Sequence, residues 1–339
     1  MSRMSTNQIR EALPGMRKLK EEQLDAHSYL GTLYGAHETG CTCDFWWYGN
    51  DAEESRPLII VLHGGGFALG DARTYDIMCD CVKNAFEVNV VCADYRLAPE
   101  HPFPAALHDI CGIYAYLISH ASGLGIDVHN ICFLGFSSGA NLTLAATLAM
   151  QENEDLPRPA GLILHYPFLD AHVEPKQHNR PEGVPYEFMV AFNEFYTNGA
   201  DARDPLVSPL YASDEQLSKL PRIYAYPVAG DPLAPSCEEL CNRMRALGLP
   251  VHECTIDGQY HAYIEDAIDL PGYIAGNPPG VIRKRDRSFY EAGWKNLLSS
   301  VCDYLGIREK EFQIPEAGLP ELEAVFSSVD SLHEEPPNR

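Results

Sequence analysis

Positive charge is scarce in this chain of 339 residues: 25 lysines and arginines stand against 48 aspartates and glutamates, a net charge of −23. A surface this acidic repels phosphate backbones and anionic lipid headgroups, so nucleic-acid and membrane-surface partners are not expected, whereas neutral small-molecule esters are not repelled. Long apolar runs are missing too. The longest block, 58–62, stops just before a run of glycines, far short of the roughly 20 residues a membrane helix needs. The opening residues MSRMSTNQIR carry basic side chains but no apolar stretch behind them, so no secretory signal is expected. The 11 cysteines are odd in number, and the pairs Cys41/Cys43, Cys79/Cys81 and Cys237/Cys241 lack the two-plus-two spacing of a zinc site. They read as small apolar side chains carrying free thiols in a reducing, cytoplasmic compartment, with no metal implied.

What is present is a full complement of core-forming residues, 45% of the chain, over a length suited to one large α/β domain with insertions. From about residue 44, short aliphatic runs (58–62, 89–93, 131–134, 161–165, 222–226, 251–256) alternate with amphipathic stretches (75–86, 105–120, 141–151, 236–247). Continuous apolar strands separated by helices imply a parallel sheet covered on both faces. The first 40 residues read as helical and polar. The alternation breaks at 171–215, which reads as an insertion carrying the aromatic, helix-like segment 186–196. A second irregular stretch, 266–285, follows, with its prolines and glycines clustered from 271 to 280, then a final helix at about 288–305. The expected organisation is an N-terminal cap segment (1–43), a core in two parts (44–170 and 216–308) around a cap insertion (171–215), and an acidic tail (309–339). That tail has eight acidic against two basic residues, a composition expected to be mobile.

Gly135-Phe136-Ser137-Ser138-Gly139 sits between an apolar run and a helix-like segment, the setting of a GxSxG nucleophile elbow. The strained turn exposes the Ser137 hydroxyl, the glycines leave room for neighbouring elements, and the helix N-terminus favours developing negative charge. The plain alternative is a β–α turn with a capping serine. Ser138 is the competing hydroxyl, but it lies one position late, where an elbow uses the backbone N–H. Upstream, His63-Gly64-Gly65-Gly66-Phe67 follows the 58–62 run directly. Bare glycine amides can approach a carbonyl oxygen as it becomes an anion, so the N–H groups of Gly65, Gly66 and Ser138 are the candidate oxyanion hole. A merely flexible turn is the alternative. A phosphate cradle is disfavoured because no Lys-Ser/Thr pair follows the glycines.

Triad order in such a fold is serine, acid, histidine. Asp231 follows the 222–226 run and His261 follows the 251–256 run, so both fall where a partner acid and a general base belong. Asp257 is the rival acid. His165 and His252 lie on strands and His172 precedes the acid, which makes them weaker than His261. Asp231 also reads as an ordinary turn residue before Pro232.

Taken together, HGGGF at 63–67, DYRLAPEHPFPAALHD at 94–109, GFSSGANL at 135–142, DPLVSPLYA at 204–212, AGDPL at 229–233 and YHAY at 260–263 resemble the hormone-sensitive-lipase-like family of esterases, from about residue 57 to 263. The resemblance implies an α/β-hydrolase fold, with a mostly parallel eight-stranded sheet and a helical cap built from the N-terminal segment and the insertion. It implies hydrolysis of short to medium acyl esters, including acetyl esters, without metal or organic cofactor. Phe67, Phe136, Tyr186, Phe192 and Tyr196 are then candidate substrate contacts, although cap packing explains any one of the insertion's aromatics equally well. Members of the family usually carry GDSAGG where this chain has Phe136, Ser138 and Ala140. Tyr95, Arg96 and the prolines of the second block read as support for the glycine loop, and the 266–285 stretch as a pocket wall or subunit contact. Two alternatives stay open. One is an amidase or formamidase with the same triad; the other is a small-molecule receptor on the same fold, which would be expected to have lost a triad member. A homodimer is suggested by fold-level analogy alone.

Overall fold

The central aliphatic runs become strands because both of their faces are buried. The computed structural model describes residues 4–25, 28–49, 54–174, 184–268 and 287–307. Its strands are β1 (Thr32–Tyr34), β2 (Phe45–Tyr48), β3 (Arg56–Leu62), β4 (Asn89–Ala93), β5 (Ile126–Phe136), β6 (Gly161–His165), β7 (Arg222–Tyr226) and β8 (Val251–Glu253). They form one eight-stranded sheet in the order β1-β2-β4-β3-β5-β6-β7-β8. β1–β2 and β2–β4 pair antiparallel; the remaining pairs are parallel. The order reverses around β3, so the carboxyl ends of β3 and β5 lie side by side, with Leu62 opposite Gly135. In open α/β sheets such ends are where sites are built.

The helices are α1 (Thr6–Leu24), α2 (Ala36–Thr39), α3 (Asp76–Phe86), α4 (Ala105–Ser119), α5 (Ala121–Leu124), α6 (Ser138–Met150), α7 (Tyr186–Thr197), α8 (Asp214–Ser218), α9 (Ala234–Ala246), α10 (Tyr263–Ile268) and α11 (Arg287–Leu305). Side chains alternate across the sheet with the period of two that a strand imposes. Leu58, Ile60, Leu62, Ile131, Phe133, Leu162 and Leu164 face the core shared with α4, α6 and α9. Ile59, Val61, Cys132, Leu134, Phe136 and Ile163 face α3 and α11, which contribute Met78, Val82, Trp294 and Leu298. None of the cysteines forms a disulfide among the described residues, and most are buried.

Helix α1 is started by a capping box, in which the Gln8 N–H donates to Ser5 Oγ and the Ser5 N–H to Gln8 Oε1. Its Ile9 and Leu13 pack with Ala191, Phe192 and Phe195 of α7 and with Ala68. The Arg10 guanidinium lies 4.3 Å from the centre of the Phe195 ring. This is a third, smaller apolar cluster above the carboxyl end of the sheet.

Several expectations change. The N-terminal 40 residues are not uniformly helical: Thr32–Tyr34 pairs with Phe45–Tyr48 as an antiparallel edge. Both strands are too short to show alternation, and β1 is exposed on two of its three residues. The run at 251–256 yields a strand only to Glu253, after which Ile256 returns by a single bridge to Val228. Pro227, which has no N–H, follows β7 at that point. The strand at 131–134 extends over the whole of Ile126–Phe136, with an irregularity in its pairing to β3 between Arg56 and Leu58. Most of the 266–285 stretch and the tail after 307 lie outside the described residues, as does part of the 171–215 insertion. No helix among the described residues is long and apolar enough to cross a membrane.

Leu164 is fully buried and Leu33 is 47% exposed on the edge strand. Leu164→Ala is expected to cost about 2–5 kcal/mol and Leu33→Ala less than about 0.5 kcal/mol. Urea unfolding of the two variants checks this.

Candidate active site

The turn after β5 is forced into shape by close packing. Ser137 has φ +51° and ψ −113°, a backbone conformation an L-residue seldom adopts. A Cβ on Gly135 would lie 2.6 Å from the Ala140 Cα, and one on Gly139 would lie 2.1 Å from the Leu62 carbonyl and 2.4 Å from that of His63. Glycine is therefore required at both places, and the start of α6 is pressed against the end of β3. The backbone of Ser137 is tied on both sides: its N–H donates to His165 O (3.0 Å), and its carbonyl accepts from the N–H groups of Phe168, Ala140 and Asn141.

The glycine loop is held as tightly. Gly65 (φ +113°) and Gly66 (φ +62°) occupy conformations that favour glycine. A side chain at Gly65 would strike the Leu69 carbonyl, and one at Gly66 would strike the Phe192 ring. The Leu69 and Ala68 N–H groups both donate to Gly65 O. Neither Gly65, Gly66 nor Ser138 donates its own N–H to a backbone carbonyl among the described residues, so three amides remain for a ligand oxygen. Beneath the loop, the Tyr95 hydroxyl donates to His63 O (2.7 Å), and the two rings stack with centroids 4.1 Å apart. His63 Nδ1 donates to Gly64 O at 2.7 Å. Burial pushes the His63 imidazole down to about 4, so it stays neutral and serves as a donor. The Phe67 carbonyl accepts from the Ala98 N–H.

The proline-rich block at 94–109 thus has a physical role. Tyr95 and Ala98 brace the glycine loop, while Arg96 pairs with the fully buried Asp109, which also accepts the Arg96 N–H. Arg17 of α1 donates to the carbonyls of Ala68 and Ala98 and pairs with Glu100 at 2.7 Å, fastening the N-terminal helix to this same loop.

Three of the predicted residues meet. Ser137 Oγ lies 2.8 Å from His261 Nε2, and His261 Nδ1 lies 2.7 Å from Asp231 Oδ2. Asp231 Oδ1 accepts the Leu233 N–H, which fixes the carboxylate. All three side chains are buried. Because Asp231 accepts, His261 carries its proton on Nδ1 and presents the lone pair of Nε2 to the serine. Burial opposes protonation of this imidazole, but the charges of Asp231 and Glu265 outweigh it and hold its pKa above the ordinary histidine value. Such a chain can deprotonate a hydroxyl and return the proton to a leaving group. The rivals are placed elsewhere. His165 is buried against Ser300 (3.0 Å), and His252 reaches Asp303 at 3.6 Å.

Among the expected substrate contacts, Phe67 and Tyr196 stack face to face with centroids 3.6 Å apart, and Phe168 meets Phe67 edge-on. Phe192 covers Gly66. Tyr186 stands at the first turn of α7, roughly 9 Å of helix rise from Phe192. Phe136 corrects the expectation. The alternation of β5 turns its ring to the α3/α11 face, where it is fully buried and stacked with His165 at 5.3 Å. Sequence reasoning missed Tyr166 and Glu265. The Tyr166 ring meets His261 edge-on at 5.2 Å, and its hydroxyl donates to Glu265 Oε2. Tyr166 follows the carboxyl end of β6, beside β5 and Ser137, a position that signals a site contact.

Comparison with known proteins agrees with this fold. A family model described as alpha/beta hydrolase fold matches residues 59–265. An arylesterase of Saccharolobus solfataricus is 30% identical over 214 residues, 61% of this chain and 68% of the relative. Esterase LipI of Mycobacterium tuberculosis is 29% identical over 234 residues, covering 68% and 72%. An esterase from the bacterial hormone-sensitive lipase family superposes with a TM-score of 0.63 at 25% identity, covering 81% of this chain and 92% of the other. The chain belongs to this hormone-sensitive-lipase-like family of α/β hydrolases. It is a carboxylesterase-type hydrolase.

Gly139→Ala is expected to lower stability by about 2 kcal/mol or more, because the added methyl meets backbone. Gly112→Ala, in the middle of α4 with open space around it, is expected to gain up to about 1 kcal/mol. Thermal unfolding of the pair, with turnover measured on each, checks both signs.

Proposed function

We propose that the protein is a serine carboxylesterase that cleaves short to medium acyl esters, acetyl esters among them, with Ser137 as nucleophile, His261 as general acid and base, and Asp231 as the residue that orients it. The hydrogen-bonded chain Ser137–His261–Asp231, at 2.8 and 2.7 Å, carries the reading. Ser137 Oγ attacks the ester carbonyl carbon as its proton passes to His261 Nε2. The C=O electron pair moves to oxygen, and the amides of Gly65, Gly66 and Ser138 are assigned to that oxyanion. When the pair returns, the C–O bond to the alcohol breaks and His261 gives its proton to the departing oxygen, leaving an acyl-Ser137. Water then attacks the acyl carbon, again losing its proton to His261, and the acid is released with Ser137 regenerated.

Support for a limited acyl length comes from the aromatic wall over the glycine loop, built from Phe67, Phe168, Phe192 and Tyr196. The lid over that wall is assigned to α1 and α7. A receptor built on this fold would be expected to lack a triad member, whereas here all three are within hydrogen-bond distance.

The test is hydrolysis of p-nitrophenyl acetate, butyrate and octanoate, with an anilide for comparison. Wild type is expected to prefer the shorter esters, and Ser137→Ala to lose kcat by a factor on the order of 10⁴ or more. Turnover of the anilide but of no ester would favour the amidase reading, and wild-type turnover in Ser137→Ala would overturn the nucleophile. The proposal also fixes a pH sign. His261 works as a base only when neutral, and its pKa is held above the ordinary value. kcat/KM should therefore climb as pH rises through neutrality and be largely lost by about pH 5. A flat profile over that range, with chemistry rate-limiting, contradicts His261 as base.

A further inference from the structure

Glu265 is an acid that the Ser137–His261–Asp231 chain does not use, yet it is built into the same site. It lies on α10, one helical turn after His261. Its Oε2 accepts a hydrogen bond from the Tyr166 hydroxyl. Its Oε1 is pressed against Gly64 of the glycine loop, where a Cβ would come within 2.3 Å of it and within 3.3 Å of the Phe136 carbonyl. Tyr166, which holds one side of the carboxyl, sets its own ring edge against His261 at 5.2 Å. One carboxyl therefore touches the loop that carries the oxyanion amides and is joined, through one tyrosine, to the imidazole.

We propose that Glu265 is a positioning residue acting through His261: its carboxylate, fixed between Tyr166 and Gly64, favours the imidazolium that His261 becomes on taking the Ser137 proton. The inference rests on the assignment of His261 as base. The groups around the pair are few. His261 faces Asp231 from the turn before α9, Ser137 from the elbow and Tyr166 from the end of β6. Glu265 faces Tyr166 from the end of β6, Tyr75 from the turn before α3, and His261, Tyr263 and Asp266 from its own segment. Burial pushes the Glu265 carboxyl up to about 7, against the Tyr166 hydrogen bond and the His261 charge, which lower it. The carboxyl then titrates near neutrality, and the charge of each group acts on the other. As pH falls through neutrality, Glu265 takes up a proton and its support for the imidazolium fades. The cost of this placement is electrostatic. A full negative charge beside the glycine loop opposes an oxyanion, which gives a carboxyl that is ionised only in part near pH 7 a use that a permanent anion would not have.

The experiment is an NMR titration of the His261 ring in the full chain, assigned by comparison with a His261→Gln sample. Wild type is compared with Glu265→Gln, which keeps the shape and the hydrogen-bonding capacity of the side chain but not its charge. The His261 midpoint is expected to fall by roughly half a unit to one unit in Glu265→Gln, and the acid limb of kcat/KM to move with it. An unchanged His261 midpoint in folded Glu265→Gln overturns the proposal, even where Glu265→Ala loses activity, because the role would then be structural. If Glu265→Gln does not fold, Tyr166→Phe replaces it. That change removes the hydrogen bond that keeps Glu265 ionised, so the midpoint is again expected to fall, and an unchanged value again overturns the proposal. The titration needs no turnover, so a wild type inactive on every ester defeats the functional reading without touching this result.

Discussion

The contact between Gly139 and the carbonyls of Leu62 and His63 is the constraint on which the site depends. It brings the start of α6 against the end of β3 with no room for a methyl group. Two consequences follow from one approach. The turn before α6 must strain, which places Ser137 in its unusual conformation. The glycine loop, whose first residue is one of the two contacted, must then pass directly over the helix N-terminus. The Ser137 hydroxyl and the bare amides are thereby assembled by packing, before any ligand arrives, which is what preorganised stabilisation of a developing charge requires.

Around that contact the protein uses neutral groups for support and reserves charge for the histidine. His63, Tyr95 and Tyr75 hold the glycine loop through stacking and hydrogen bonds. Burial keeps His63 uncharged at working pH. The charged supports, Arg96–Asp109 and Arg17–Glu100, stand farther out, on the segment that braces the loop and on the helix that covers it. Only Asp231 and Glu265 are set to act on His261.

Much of this was legible in the sequence because it rests on local rules. The aliphatic runs 89–93, 161–165 and 222–226 became strands with those limits, and 58–62 forms the buried end of a strand that starts at Arg56. HGGG and GFSSG were readable because glycine is the residue that backbone crowding and positive φ demand. Asp231 and His261 were found by their order after successive strands. What escaped was set by three-dimensional context. β1 and β2 are too short for a pattern to show. Phe136 was misread as a substrate contact because the face a strand residue takes depends on a register that one motif does not reveal. Tyr166 and Glu265 stand 99 residues apart, and neither lies within one of the quoted motifs. Arg17 lies on a polar helix and reaches carbonyls 51 and 81 residues away.

In the proposed mechanism Ser137, made nucleophilic by His261, is where the acyl group is transferred. A p-nitrophenyl alkylphosphonate transfers its phosphorus to an activated serine oxygen with loss of p-nitrophenolate, so it marks that atom covalently. The most direct measurement is intact-mass and peptide-mapping analysis of the chain after treatment. One adduct per chain, on the peptide containing Ser137 and abolished in His261→Ala, is the result expected. An adduct on another residue, or none in a preparation that hydrolyses esters, would contradict the account.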